Sequence, residues 1–439
     1  MMPNWRNTIL DFCWKKKWKF IRSLRRRGFD YRFVPRVPSA GVTGSVGKTT
    51  TCRMVAHILA ATGRTVALTT TQGMYVGRDL IRSGDLAGGE YAGRLLLDPR
   101  VQAGVFELAR GGLISDGMFL SAVDVGAVLN VHDNHIGLNG KNSREDLARV
   151  KVEVVRRARR FAVLNADDPL CVAMRAQVVA PRLCFVSERP DNPVILEHLA
   201  QGGPVMLLRG CGPDGRMELH EGGTLLGALD VRDIPATHGG IFRPAAVNAA
   251  FAAAMAYGMR VRWEALTAAL RVFQSTWESN PGRMNFLEGF PFKVLLTWAD
   301  GPKAMEELAS FLRRYPAEGR KHMAVCNVGD RPNDFILGMT RAVAGLFESH
   351  ICFDWDDLRG RAPGELATLL ARGLLESGVP PAAVTVVPEY RAALHAAFER
   401  PEPGDFLVVV NSDDDVLEVA EGYRQADRQG ADIGFMEDV

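Results

Sequence analysis

The sequence predicts an α/β protein. A first domain is built on a parallel sheet that carries a phosphate loop and a small antiparallel insertion, and a smaller doubly wound domain follows. Three observations lead there. Short apolar strands alternate with amphipathic helical segments over most of the chain, the spacing of βαβ units. One strand-to-helix junction, Gly44-Ser45-Val46-Gly47-Lys48-Thr49, has the G-x-x-G-K-T pattern of an anion-binding turn. At 439 residues the chain is long enough for two or three domains, each burying its own core.

Residues 1–37 read as a basic, aromatic N-terminal extension. They hold 11 Lys or Arg against Asp11 and Asp30, a balance of +9, interleaved with Trp5, Phe12, Trp14, Trp18 and Phe20. Such a segment, centred on residues 5–27, suits a membrane surface or an acidic partner, or packs its aromatic face on the protein body. The remainder of the chain carries −7, which argues against nucleic acid as a partner.

Residues 38–283 form the expected central domain. Ala40–Thr43 reads as a buried strand, and Thr49–Ala61 as a helix with Met54, Val55, Ile58 and Leu59 at helical spacing. Thr65–Thr71, Gly104–Leu108, Ala122–Val131 and Phe161–Asn165 read as further strands, with a helix from Ser143 to Arg159. Between Ala180 and Pro235, Gly-rich turns separate short strands, the pattern of an antiparallel insertion. Helices resume at Pro244–Tyr257 and Trp263–Phe273, and Gln274–Arg283, rich in Ser, Asn and Pro, reads as a domain boundary. Residues 284–439 restart the alternation, with strands at Lys293–Thr297, Ala324–Val328, Ile351–Asp354, Val384–Val387 and Phe406–Asn411.

Composition narrows the setting. The seven cysteines are scattered, with no C-x-x-C pair and no His–Cys metal spacing, which points to a reducing, cytoplasmic compartment without structural zinc. No apolar run of about 18 residues predicts a transmembrane helix. Any membrane contact would therefore be peripheral, through residues 5–27. The oligomeric state is left open, a homo-oligomer included.

The phosphate loop carries the chemistry. Glycines let backbone N–H groups curl toward an anion, and the helix that follows adds its positive end. Lys48 is placed to reach the β- and γ-phosphates of ATP, and the Thr49 hydroxyl to bind Mg²⁺, with Gly44, Ser45, Val46, Gly47 and Thr50 completing the cradle. The longer G-x-x-x-x-G-K-[ST] pattern would need Gly at position 42, where this chain has Val42.

Four features follow the loop. Glu107 ends an apolar strand and opens Glu107-Leu108-Ala109-Arg110-Gly111-Gly112. His135 lies in Asn130-Val131-His132-Asp133-Asn134-His135-Ile136-Gly137. Lys151 falls on a helix 16 residues later, and Asn165-Ala166-Asp167-Asp168-Pro169 closes the next strand. Alone, Glu107 is an ordinary strand-end carboxylate, His135 a loop histidine, Lys151 a solvated helix residue and Asp167-Asp168 a structural pair. In this order and spacing, together with Thr69-Thr70-Thr71, Pro281-Gly282-Arg283-Met284-Asn285 and Gly329-Asp330-Arg331, the chain resembles the Mur ligase family of ATP-dependent amide-forming ligases. The likeness extends to the C-terminal ligase domain of the cyanophycin synthetases, and runs from about Gly41 to Val410.

The resemblance implies a Rossmann-like C-terminal domain and an ADP-forming reaction. A carboxylate takes the γ-phosphate of ATP to give an acyl phosphate, and an amino acid or amine displaces phosphate. It implies Thr49 and Glu107 as ligands of the ATP-bound Mg²⁺, and Glu107 and His135 as ligands of a second Mg²⁺. Lys151 falls where many members carry a carbamylated lysine. Asn248 and Arg283 fall where the family meets nucleotide, with Asp330 near the cleft. Three departures stand out. Asn134 replaces an acid before the histidine, Ser45-Val46 replaces Thr-Asn, and Thr297-Trp298-Ala299-Asp300-Gly301-Pro302 stands where D-Y-A-H-N-P is usual. The acid that meets nucleotide is thereby lost, leaving Asp300 as the nearest substitute. Two alternatives accompany the free-standing ligase: a poly-γ-glutamate-synthase-type ligase subunit, and a non-catalytic nucleotide-binding scaffold.

Overall fold

The computed structural model describes residues 37–429 apart from 116–117, 119, 134–139, 141–142 and 211. His135 and the basic segment 1–36 therefore lie outside the described residues. Two sheets organise the rest, one of eleven strands and one of six.

The first sheet begins with β1 (Ser39–Thr43), all of whose residues are buried. It continues with β2 (Val66–Thr70), β3 (Gly73–Val76), β4 (Asp79–Ser83), β5 (Ala103–Glu107), β6 (Val123–Val128), β7 (Ala158–Asn165), β8 (Arg182–Ser187), β9 (Pro204–Arg209), β10 (Arg216–Glu221) and β11 (Thr224–Asp230). Their order is β11-β10-β9-β8-β7-β6-β1-β5-β2-β3-β4. The seven strands from β9 to β2 run parallel, and antiparallel strands finish each edge. β1 sits between β6 and β5, so successive connections leave it in opposite directions. Such a switch point opens a crevice at the carboxyl ends of the strands.

Helix α1 (Lys48–Ala61) follows β1 directly, and α2 (Arg144–Lys151) precedes β7. Helix α3 (Arg243–Gly258) runs through the main core, with Ala249, Ala250, Phe251 and Ala252–Ala256 all buried against Val55, Ile58 and Phe161. Its run of alanines lets a helix backbone approach the sheet closely, which is why a sequence with little amphipathic contrast forms a buried helix here.

Three differences from the sequence expectations have physical causes. The stretch from Ala180 to Pro235 is not wholly antiparallel: Pro193–Ala200 is a helix capped by Asn192, so β8 and β9 pair parallel and only β10 and β11 turn back. The expected helix Ser143–Arg159 breaks after Lys151, a short turn of helix runs over Glu153–Arg156, and β7 starts at Ala158. The β3–β4 hairpin, too short for a clear alternation, was not expected. In the antiparallel insertion, as in this hairpin, the strands remain in the main sheet rather than forming one of their own.

The second sheet contains β12 (Asn285–Leu287), β13 (Lys293–Thr297), β14 (Lys321–Val325), β15 (Ser349–Cys352), β16 (Val384–Val386) and β17 (Phe406–Val410), in the order β12-β13-β17-β14-β15-β16. Only β12 is antiparallel. Helix α4 (Pro302–Arg314) packs Met305, Leu308, Phe311 and Leu312 into its core. No helix among the described residues is long and apolar enough to cross a membrane.

A central glycine offers a test. A Cβ on Gly126 of β6 would lie 2.5 Å from the Val154 carbonyl oxygen and 3.0 Å from Ala158 Cβ. Gly126→Ala is expected to destabilise the fold by about 1–3 kcal/mol, read as a lowered midpoint in denaturant unfolding.

Candidate active site

A cleft of about 1540 Å³ lies between the two sheets, and Gly44–Thr50, Glu107, Lys151, Asn248, Arg283, Asp300 and Asp330 all line it. The fold thus brings every described candidate to one space.

The loop itself is clamped. Gly47 has φ of +85°, and a Cβ there would come 2.3 Å from Asn248 Oδ1, so both backbone and neighbour require glycine. Asn248 arrives from α3, where its Oδ1 also accepts from Thr51 Oγ1 at 3.4 Å. On the other side Asn130, just past β6, accepts the Ser45 and Val46 N–H groups at 2.8 and 3.0 Å and donates to Val46 O at 3.2 Å. Lys48 Nζ folds back to Ser45 O at 3.1 Å.

Glu107 is fully buried. Thr49 Oγ1 donates to its Oε2 at 2.8 Å, the Thr71 N–H donates to the same oxygen at 3.3 Å, and the two threonine hydroxyls lie 3.2 Å apart. Its other oxygen, Oε1, is buried with no hydrogen-bond partner. A carboxylate oxygen left orphaned beside a hydroxyl, at the mouth of a phosphate loop, suits a hard divalent cation. No group of three or more His, Cys, Asp or Glu side chains among the described residues is arranged to hold a metal. Among the described residues, Thr49 and Glu107 are the groups that would hold Mg²⁺ together with phosphate oxygens, since this ion accepts few protein ligands.

Lys151 is not on a solvated face. It is 2% exposed, at the last turn of α2, and its Nζ donates to Ser45 Oγ at 2.7 Å. Burial, and then the charge of Lys48, pull its pKa down to about 7. A substantial neutral fraction near pH 7 leaves the amine nucleophilic. Asp168 is structural: it caps the helix Pro169–Ala173 through the Leu170 N–H and accepts from the Val131 N–H at 2.7 Å. Asp167 likewise holds Ser187, Glu188 and Asn192.

The second sheet supplies the opposite wall. Arg283 is half-buried; burial lowers its pKa, against the pull of Glu107 and Asp300. Asp300 accepts from Arg331 at 3.2 Å, and Asp330 is held between Arg331 and Arg359, each at 3.0 Å. Both acids are thus ion-paired within their own wall. Arg243, at the start of α3, ties the walls together: it reaches Glu188 after β8 and Glu307 on α4, the latter at 2.6 Å. Asn130, Asn280, Arg243, Arg331 and Arg359 were not among the expected site residues. Asn130 ends an apolar strand and Asn280 sits in the expected boundary segment, which were the signals available.

Residues 42–194, which include the loop, Glu107 and Lys151, match the Mur ligase middle domain. This central part of the chain is Mur-ligase-like. A cyanophycin synthetase from Synechocystis sp. is 35% identical over 379 residues, covering 85% of this chain and 42% of that protein. The chain thus spans about two fifths of the length of the curated relatives it matches. Among solved structures, MurF from Acinetobacter baumannii superposes with a TM-score of 0.63 at 18% identity, covering 89% of this chain and 77% of that one. E. coli FolC in complex with DHPP and ADP gives 0.60 at 18%, covering 90% and 89%. These two likenesses are of fold. In this fold the loop follows β1, and Glu107 ends the adjacent strand β5.

The buried lysine has a measurable consequence. Folding costs the protonated amine its hydration, and this penalty is complete below about pH 7. Between pH 7 and 10.5 only the unfolded chain holds the proton, so the penalty shrinks as pH rises. Wild type should therefore gain stability relative to Lys151→Met across that range, measured by denaturant unfolding at successive pH values. A constant difference would place the amine in water.

Proposed function

We propose that this chain is an ATP-dependent, ADP-forming ligase that activates a carboxylate as an acyl phosphate and joins it to an amino acid or amine. The observation that carries the reading is the Lys48, Thr49, Glu107 and Lys151 constellation around one clamped phosphate loop, in a cleft closed by a second α/β sheet. The names of the relatives, cyanophycin synthetase among them, support the reaction class. On this reading residues 38–283 hold ATP and residues 284–439 present the amine.

The chain's own groups do mainly positioning and charge work. Loop N–H groups beyond Val46, with Lys48, receive the β- and γ-phosphates. Bound Mg²⁺ would neutralise charge building on the transferred phosphoryl group. Thr49 and Glu107 would hold it, and the orphaned Oε1 would gain its missing partner. His135 would join them on this reading. Lys151, poised near neutrality and touching Ser45, can take up CO₂ as a carbamate, exchanging a cation for oxygen ligands beside the loop. Asn248 keeps Gly47 in its turn. Arg331 and Arg359 also line the cleft, each paired with Asp330.

Residues 5–27 are proposed to rest on a membrane surface or an acidic partner, in a cytoplasmic setting. Flotation with anionic vesicles, compared with a chain lacking those residues, tests this.

Phosphate release across a panel of amino acids and acidic peptides tests the activity. Turnover should require both Mg²⁺ and an amine, and Lys48→Ala or Glu107→Gln should lower it by about 100-fold or more. Lys151→Ala should lose activity and recover part of it with added formate, which can stand in for the carbamate oxygens. Tight ATP binding with no release across the whole panel would instead favour the nucleotide-binding scaffold.

A further inference from the structure

We infer that Asn280 supplies the hydrogen-bond acceptor for a ribose hydroxyl of the bound nucleotide; this rests on the ATP-binding reading above. Asn280 lies in the segment joining the two sheets, is 1% exposed and lines the cleft. Its Nδ2 donates to Thr50 Oγ1 at 3.3 Å and to Ser275 Oγ at 3.0 Å. The Ser275 hydroxyl spends its own proton on the Arg283 carbonyl, so toward Asn280 it can only accept. That settles which end of the amide is nitrogen. The other end, Oδ1, is buried with no donor. The backbone here is held as well, because Asn285 Nδ2 donates to the Asn280 main-chain carbonyl at 3.2 Å.

An amide oxygen without a donor is an unsatisfied state that a folded chain rarely keeps without a use. The neighbourhood says which donor suits it. Thr50 stands on the first turn of α1, immediately past Lys48 and Thr49. Phosphate oxygens accept only and cannot satisfy Oδ1, whereas the 2′- and 3′-hydroxyls of the sugar donate. Three nearby acceptors are already engaged. Thr297 Oγ1 accepts from the Met284 N–H at 3.4 Å, Asp300 holds Arg331, and Asn248 Oδ1 takes Thr51. Of these four acceptors, the Asn280 oxygen is the one without a donor. The same segment is pinned to α1 by Arg53, whose Nη1 donates to the Ser279 carbonyl at 2.9 Å. Reading the sugar and docking the linker thus fall to neighbouring residues.

The test uses the full chain with Mg²⁺ and titration calorimetry with ATP, 2′-deoxy-ATP, 3′-deoxy-ATP and purine riboside triphosphate, which lacks the exocyclic amine. Wild type should bind one of the deoxy nucleotides about five- to tenfold more weakly than ATP. Asn280→Ala should bind ATP and that nucleotide equally, while Asn280→Asp, which keeps an acceptor oxygen, should retain the preference. Thermal melts check that both variants fold. Equal affinity of wild type for ATP and both deoxy nucleotides overturns the inference, as does an Asn280→Ala variant that weakens all four ligands alike. Loss confined to discrimination at the exocyclic amine would assign the oxygen to the base and also overturn it. A wild type that binds no ATP removes the functional reading itself.

Discussion

Everything at this site depends on a carboxylate held in the protein interior with one oxygen satisfied and one not. Glu107 sits at the carboxyl end of β5, beside the strand that launches the phosphate loop, and is fully buried. Two threonines from different connections, Thr49 and Thr71, converge on Oε2. Burying a charge so incompletely partnered is expensive unless a cation completes it. Stability alone would replace it with an apolar residue, so the geometry reads as a site held ready for charge neutralisation.

The second constraint is that a loop designed to grip an anion must not collapse onto itself. Side chains from two distant elements prevent this. Asn130 occupies the first loop N–H groups and fixes their direction, while Asn248 presses on Gly47 from the opposite side. Lys151 adds a third support through Ser45. The remaining loop groups are thus presented without a search over conformations, which is how a rigid scaffold converts binding into orientation.

The two sheets face each other across this loop, and the connection between them carries information. Asn280 and Ser279 bond to residues of α1, and Arg243 bridges Glu188 and Glu307 across the cleft. In the second wall the charged groups are paired: Asp300 with Arg331, and Asp330 with Arg331 and Arg359. That pairing braces the wall on which the sequence expects nucleotide contact.

The amino-acid sequence by itself determined the α/β class, the phosphate loop, most strand positions and the likeness to the Mur ligases. Each of these is written in local terms: period-two or apolar runs, helix periodicity, glycines where the backbone must turn. Lys48, Thr49 and Glu107, which the sequence singles out, line one cleft because strand ends in a parallel sheet converge by rule. Only the tertiary structure decided which side chains meet. Asn130 reaches Ser45 across 85 residues and Asn280 reaches Thr50 across 230, distances over which no local pattern survives. The burial of Lys151 was equally invisible, since α2 reads as a polar helix and only the strand order sinks its last turn beneath the loop. The Ala180–Pro235 stretch shows the same limit, for parallel and antiparallel pairing use the same short apolar strands. Strand sequences encode which face is buried; the sheet as a whole selects the neighbour.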